Sequence, residues 1–212
     1  MSDELVFYTN PMSRGRIVRW MLEEVGQPYR TEVVGFGPPM KAAEYKALNP
    51  MGKVPALKHG EMIVTECAAI CAYLADAFPQ AGLAPAPGSK ERGPYYRWLF
   101  FGAGPTEAAV TNKTLGVEVP PEKAGWVGYG CFADVMDTLE KAVSQDEYLV
   151  GDRFSAADVY LGAQIGWGLQ FGTMERRPAF EAYAKRLQAR PAAIRANEID
   201  NALMPEQQPA AV

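Results

Sequence analysis

Tyr8-Thr9-Asn10-Pro11-Met12-Ser13-Arg14 leads from a strand-like segment into the start of a helix. A helix N-terminus concentrates unpaired N–H groups and partial positive charge, so it favours an anion. A hydroxyl placed there can donate to a thiolate, and Ser13 stands at that point. Serine is equally a favoured N-cap, which leaves a purely structural role open. Lys53-Val54-Pro55-Ala56-Leu57 sets a proline inside a strand pattern, where it gives the ladder no N–H. A cis Val54–Pro55 bond would turn the Val54 N–H and C=O outward, toward an extended ligand backbone; a trans proline would suit an edge strand. Thr65-Glu66-Cys67 precedes a second helical pattern. There the Cys67 N–H can hold a carboxylate and Glu66 an ammonium, or Thr65 can simply cap the helix with Glu66 in its first turn.

The composition narrows the classes. The chain has 212 residues, 48% hydrophobic and 22% charged, with a formal net charge of -4. That suits an ordinary globular protein with a substantial core. It argues against nucleic acid as a partner, since no Lys/Arg stripe is present. The acidic start, Met1-Ser2-Asp3-Glu4, lacks the layout of a secretory signal, and no apolar run approaches the roughly 20 residues that span a bilayer. No membrane partner and a cytoplasmic location are therefore expected. Cys67, Cys71 and Cys131 form no disulfide framework by count or spacing. Cys67 and Cys71, four apart, would share a helix face. A metal there would need more ligands, and the only histidine, His59, sits in a turn, so buried or capping thiols and no metal are expected.

The elements that must position these residues follow from periodicity. Leu5–Tyr8 predicts a buried strand and Ser13–Val25 a helix with Ile17, Val18, Met21, Leu22 and Val25 on one apolar face, stopped by Gly26. Tyr29–Val34 predicts a strand, and a short helical segment runs through Lys46. Lys53–Lys58 and Met62–Val64 predict a hairpin, and a helix follows with Ala69, Ile70, Tyr73, Leu74 and Ala77 inward. The order is β-α-β-α-β-β-α over residues 1–80. The Pro/Gly/Ala-rich stretch 81–88 reads as a linker. Beyond it, residues 89–204 read as helices over about 89–101, 105–115, 122–143, 155–170, 178–190 and 191–199, with Gly102-Ala103-Gly104-Pro105 interrupting the first two. Residues 205–212 read as a frayed polar tail.

Taken in order, the three stretches describe a ligand with a thiol, a peptide middle and an amino-acid end. Glutathione has those parts, and here the chain resembles the cytosolic glutathione transferase family over nearly its whole length. Gly151-Asp152-Arg153-Phe154-Ser155-Ala156-Ala157-Asp158 matches that family's buried N-capping motif. Ser155 and Asp158 have capping-box spacing, and Phe154 stands where it can staple onto the helix. The resemblance implies an α/β thioredoxin-like N-terminal domain followed by an all-α domain. It also implies a homodimer and glutathione as co-substrate with no other cofactor. The implied activity is conjugation of the glutathione thiolate to a hydrophobic electrophile, in detoxification, with peroxide reduction as a companion activity.

By resemblance, Val54 and its neighbour Pro55 pair with the cysteinyl backbone of the tripeptide. Glu66 and Cys67 hold the γ-glutamyl end, and Lys53 neutralises the glycyl carboxylate. Ser13 is the thiolate donor, with Tyr8, Asn10 and Arg14 as alternatives. The family usually carries serine where this chain has Cys67, and a thiol donates more weakly. An electrophile pocket between the domains would draw on Tyr96, Phe101, Glu107 and Trp167. Tyr95, Trp98, Phe100 and Phe171 are also available, and more than half of these aromatics are expected in the helical core. Two other readings stay open: a non-catalytic binding or scaffold protein on the same fold, and a thiol–disulfide oxidoreductase working through Cys67.

Overall fold

The computed structural model describes residues 4–204. The first three residues of the acidic start and the tail 205–212 lie outside the described residues. The chain forms two compact units, one of residues up to Ile70 together with those from Pro191, the other Cys71–Arg190.

The first unit is built on a four-stranded sheet. Its elements are β1 (Leu5–Thr9), α1 (Gly15–Val25), β2 (Tyr29–Val33), α2 (Pro38–Lys41), α3 (Ala43–Leu48), β3 (Ala56–His59), β4 (Met62–Thr65) and the start of α4 (Cys67–Ala77). The strand order is β2-β1-β3-β4; β2 runs parallel to β1, and the β1–β3 and β3–β4 pairs are antiparallel. This is the thioredoxin-like arrangement that the element order predicts, with the single helical segment before β3 divided into α2 and α3. β1 is central and buried, as its apolar composition requires. Ile17, Val18, Met21, Leu22 and Val25 of α1 are all buried. Gly26 ends the helix in the left-handed region and donates to the Leu22 carbonyl at 2.9 Å.

The last helix, α10 (Pro191–Ala202), packs on α1 through polar side chains. Arg19 and Asp200 are both buried and pair at 3.1 Å. Arg19 also donates to the Tyr29 hydroxyl at 3.0 Å and to Thr31 at 2.7 Å, and Tyr29 donates to Glu23 at 2.6 Å. Burial and the Glu23 acceptor push the Tyr29 phenol up to about 12, so it remains a donor.

The second unit is helical: α5 (Arg92–Phe101), α6 (Glu107–Thr114), α7 (Phe132–Gln145), α8 (Ala156–Phe171) and α9 (Pro178–Gln188), besides the rest of α4. Two helical expectations change. Gly102–Thr106 does not break the chain between α5 and α6 but winds as a π-helical turn through Pro105, which lacks the N–H that a regular turn needs. The stretch expected as one helix from 122 to 143 divides into a 3-10 turn, Pro121–Trp126, and α7, with Gly128 and Gly130 between them. No helix among the described residues is long and apolar enough to cross a membrane.

α8 is buried on nearly every side at its start, which marks it as the central helix of the unit. Its first turn forms the capping box expected at Ser155 and Asp158. Asp158 Oδ2 accepts from the Ser155 N–H and hydroxyl, both at 2.9 Å. Oδ1 accepts from the Leu149 N–H at 2.8 Å and the Tyr183 hydroxyl at 2.7 Å. Phe154 packs edge-on against Tyr148, with the Arg190 guanidinium over its ring.

Three predictions follow the buried carboxylates. Asp158→Ala strands the Leu149 N–H and the Tyr183 hydroxyl, so urea unfolding should show a loss of about 3 kcal/mol. Arg19→Met leaves the Asp200 carboxylate buried without its counter-ion and should cost about 3–5 kcal/mol at neutral pH, much of it recovered in the Arg19→Met/Asp200→Leu pair. Burial holds the Asp200 carboxyl above its ordinary 3.8, with Arg19 opposing. A carboxyl raised in the folded state takes up a proton on folding. Its contribution is therefore greatest below that ordinary value and declines as pH rises through the folded one. Urea unfolding across the acidic range should show that slope in the native chain and a smaller one in Asp200→Asn, where the Asp158 carboxyl, also raised by burial, keeps its share.

Candidate functional site

The register of the sheet gathers the three stretches. Tyr8 lies opposite Ala56, and Ala56 opposite Thr65. The chain just beyond Tyr8, just before Ala56 and just beyond Thr65 therefore leaves the sheet at the same end. That end carries Asn10–Arg14, Val54–Pro55 and Glu66–Cys67.

The first loop is built on Asn10, which is buried. Its Nδ2 donates to the Val34 carbonyl at 3.0 Å, and its Oδ1 accepts from the Met12 N–H at 3.0 Å. The Asn10 carbonyl accepts from both the N–H of Ser13, at 3.0 Å, and its hydroxyl, at 2.7 Å. Ser13 Oγ in turn accepts from the Gly15 N–H at 3.0 Å. Ser13 Oγ thus takes one N–H of the first turn, but the cap position falls on Arg14, which makes no side-chain cap bond, and the regular helix begins at Gly15. Gly15 is required here: a Cβ would lie 1.9 Å from Thr9 Oγ1. Arg14 is exposed, and its carbonyl accepts from the Cys67 thiol at 3.4 Å. That contact ties the loop to the start of α4.

Tyr8 is half-buried within β1. Phe7 faces Arg19 of α1, with the guanidinium 5.0 Å from its ring, so Tyr8 projects from the opposite face. There its ring lies 6.1 Å from that of Tyr45.

The Val54–Pro55 bond is cis. Among the described residues, the Val54 N–H and C=O have no hydrogen-bond partner. The preceding peptide is held firmly. The Lys53 carbonyl accepts from the Tyr45 hydroxyl and from Asn49 Nδ2, both at 2.8 Å. Burial, with a smaller push from Tyr8, raises the Tyr45 phenol to about 12, so it stays a donor through the neutral range. Lys53 itself is exposed. Sequence reasoning missed a second cation here: Lys41 Nζ donates to the Met51 carbonyl at 3.0 Å and the Gly52 carbonyl at 2.8 Å. It missed Tyr45 and Asn49 as well. The Asn49-Pro50 turn signal marked the bend, but nothing local marks which carbonyl these side chains would hold.

Thr65 ends β4, and Glu66 stands between strand and helix rather than inside the first turn. Glu66 has φ 69 and is the one left-handed residue other than glycine among those described. Its carbonyl accepts from the Ile70 N–H at 2.8 Å, and its side chain is exposed. A non-glycine residue in this region carries strain of about 1–3 kcal/mol, a cost met most often where a ligand is held.

The aromatic set of the helical unit is less buried than expected. Only Tyr95 and Trp98 of the seven are in the core, because α5 turns the 95, 98, 99 face inward. Tyr96, Phe100 and Phe171 are exposed, while Phe101 and Trp167 are half-buried. The Tyr96 hydroxyl accepts from Arg92 at 2.9 Å. Glu107 is half-buried and accepts from Gln164 Nε2 at 3.4 Å; the same amide donates to the Gly102 carbonyl at 3.3 Å.

Comparison with known proteins agrees with this architecture. Residues 12–77 match the N-terminal domain of glutathione S-transferases, and residues 132–191 match their C-terminal domain. The glutathione S-transferase hmp2 of Hypomyces subiculosus is 29% identical over 211 residues, covering 89% of this chain and 95% of that protein. A solved glutathione transferase from Methylococcus capsulatus strain Bath is 30% identical with a TM-score of 0.77, over 93% of this chain and 99% of that one. A sphingomonad glutathione S-transferase, solved in complex with glutathione, is 26% identical with a TM-score of 0.74, over 92% and 98%. With both halves of the family matched in order along one chain, this protein belongs to the glutathione S-transferases.

Proposed function

We propose that the protein conjugates the glutathione thiolate to hydrophobic electrophiles, with Ser13 as the thiolate donor. The observation that carries this reading is the convergence, at one end of the sheet, of a hydroxyl, an unpartnered peptide and a strained acidic residue. Val54 offers its N–H and C=O to the cysteinyl part of glutathione, flanked by Pro55. Glu66 takes the γ-glutamyl ammonium, and the N–H of Cys67 takes its carboxylate. Lys53, with Lys41 near it, neutralises the glycyl end. Asn10 is occupied in shaping the loop, Tyr8 projects with Tyr45 from the sheet face opposite α1, and the carbonyl of Arg14 accepts the Cys67 thiol. The first two arrangements support Ser13 over Asn10 and Tyr8, and Arg14, exposed beside it, is the alternative donor.

The thiol of free glutathione, near pKa 8.5, is roughly 3% ionised at neutral pH. Lowering it by about two units takes about 2.7 kcal/mol, within reach of one charge-assisted hydrogen bond and a helix terminus. The Ser13 hydroxyl must turn from the Asn10 carbonyl to the sulfur as the thiol proton leaves to solvent. The thiolate then attacks the electrophilic carbon, and the leaving group departs with the bonding pair. Tyr96, Phe101, Glu107 and Trp167 are the residues of the helical unit assigned to that acceptor. The same thiolate can cleave a peroxide O–O bond, taking one oxygen as a sulfenic acid while the other leaves as the alcohol, and a second glutathione then yields the disulfide and water. Exposed Met62 and Ile63 on the edge strand β4 support a homodimer. We place the activity in the cytoplasm.

A second reading, glutathione binding without turnover, draws on the bond that already engages the Ser13 hydroxyl. Turnover of an aryl halide and calorimetry with glutathione separate the two. Ser13→Ala should lower kcat/KM about 10–100-fold and raise the pKa of bound thiol, with glutathione affinity little changed. Unchanged turnover removes Ser13 from the mechanism, and saturable binding without turnover in the native chain favours the second reading. Glu66→Gly should move stability and binding in opposite directions. Release of the left-handed strain adds about 1 kcal/mol to unfolding, while the glutathione dissociation constant rises about tenfold on loss of the ammonium partner.

A further inference from the structure

Three side chains of α1 meet three of α10. Arg16 Nη2 donates to Asn201 Oδ1 at 2.9 Å; Arg19 pairs with Asp200; Arg195 Nε meets Glu23 at 3.2 Å, and its Nη2 donates to the Glu23 carbonyl at 3.3 Å. The contacts climb α1 while they descend α10, so the helices run antiparallel along a polar seam. Arg16, Arg19 and Glu23 share one face of α1 by their three- and four-residue spacing. The seam does not end in the helices. Arg16 Nε donates to the Pro11 carbonyl at 2.5 Å, inside the loop that carries Ser13.

We propose that Arg16 and Asn201 are positioning residues for thiol activation: Asn201 fixes the Arg16 guanidinium, which fixes the Pro11 peptide and hence the Ser13 hydroxyl. The inference rests on the transferase reading above. The guanidinium is planar, so a bond to Nη2 sets the direction in which Nε points. The buried Arg19–Asp200 pair sets the register of α10, which brings the adjacent Asn201 level with Arg16. Pro11 has no N–H and Met12 is held through its N–H by Asn10, so the Arg16 bond completes the fixing of the loop from the α1 side. Catalysis by a single oriented donor is sensitive to displacements of this kind.

The test is titration of the bound thiol by its ultraviolet thiolate absorbance in Asn201→Ala, Asn201→Asp and Ser13→Ala/Asn201→Ala, with steady-state kinetics. Asn201→Ala should raise the thiol pKa by about half a unit, a roughly threefold loss of thiolate below that pKa. kcat should fall to match, with KM for glutathione within about twofold. Asn201→Asp keeps the acceptor and should restore the native value. In the Ser13→Ala background the Asn201→Ala change should add nothing, since both act through one hydroxyl. An unmoved thiol pKa in Asn201→Ala, a loss that Asn201→Asp does not repair, or full additivity with Ser13→Ala overturns the inference and leaves the transferase reading standing. Absence of any thiolate signal in the native chain with saturating glutathione overturns the transferase reading itself, and this inference with it.

Discussion

The Asn10 side chain is used at both ends. Its amide nitrogen reaches the chain just beyond β2, and its oxygen reaches forward to Met12, while its own carbonyl collects the N–H and hydroxyl of Ser13. A loop of backbone polar groups at the end of a buried strand needs such partners, since unpaired groups there are costly. Meeting that need with one residue shapes the turn tightly enough for α1 to begin only six residues after β1. It also brings the Arg14 carbonyl within reach of the Cys67 thiol. Among the described residues, the backbone N–H and C=O of Val54 at this end have no hydrogen-bond partner. A sheet end where one loop satisfies itself and its neighbour does not is suited to a peptide-like ligand.

Much of this was legible in the sequence because it depends on local chemistry. Alternation, the apolar face of α1, the Gly26 stop and the Ser155–Asp158 spacing each have a short-range cause, and each lies within a few residues of where the pattern puts it. The candidate site was legible as three segments for the same reason: a serine at a helix start, a proline in a strand and an acid before a helix are local signals. What could not be read was the partner of each. Tyr45 and Asn49 meet at the Lys53 carbonyl, and Arg16 meets Asn201 across 185 residues, through folding that no window of sequence contains. The left-handed Glu66 also escaped, because glutamate gives no hint of that backbone region, and the pattern put it inside the helix. The division at 102–106 escaped in the other direction. Glycine and proline signal a break, yet a π turn passes through them with helical backbone on both sides.

Cys67, in place of the serine that the resemblance implies, has a consequence in the geometry. A hydroxyl at the start of α4 would have a strong proton to offer a ligand carboxylate; the thiol has a weak one, and it is directed at the Arg14 carbonyl. The side chain thereby serves cohesion between α4 and the first loop. This also bears on the disulfide-exchange reading. Such chemistry needs an accessible thiolate, whereas Cys67 is buried with its proton engaged.

The two buried carboxylates have been given opposite surroundings, and the contrast argues for different roles. Asp158 spends both oxygens on four donors from Ser155, Leu149 and Tyr183, and burial still lifts its proton affinity. It is a satisfied network, of the kind that fixes one packing. Asp200 has Oδ1 on Arg19 but Oδ2 unpartnered, and Arg19 likewise leaves Nη2 unpartnered. A buried pair so incompletely met is a poor source of stability, since apolar residues of similar volume would serve the packing as well or better. What an apolar pair could not do is impose one register on two helices. Hydrophobic contact tolerates a slide along the axis, while an Arg–Asp pair fails once it moves by a residue. The demand for register is therefore the better account of Arg19 and Asp200, and the element whose placement depends on it is the one that reaches, through Asn201 and Arg16, to the loop of Ser13.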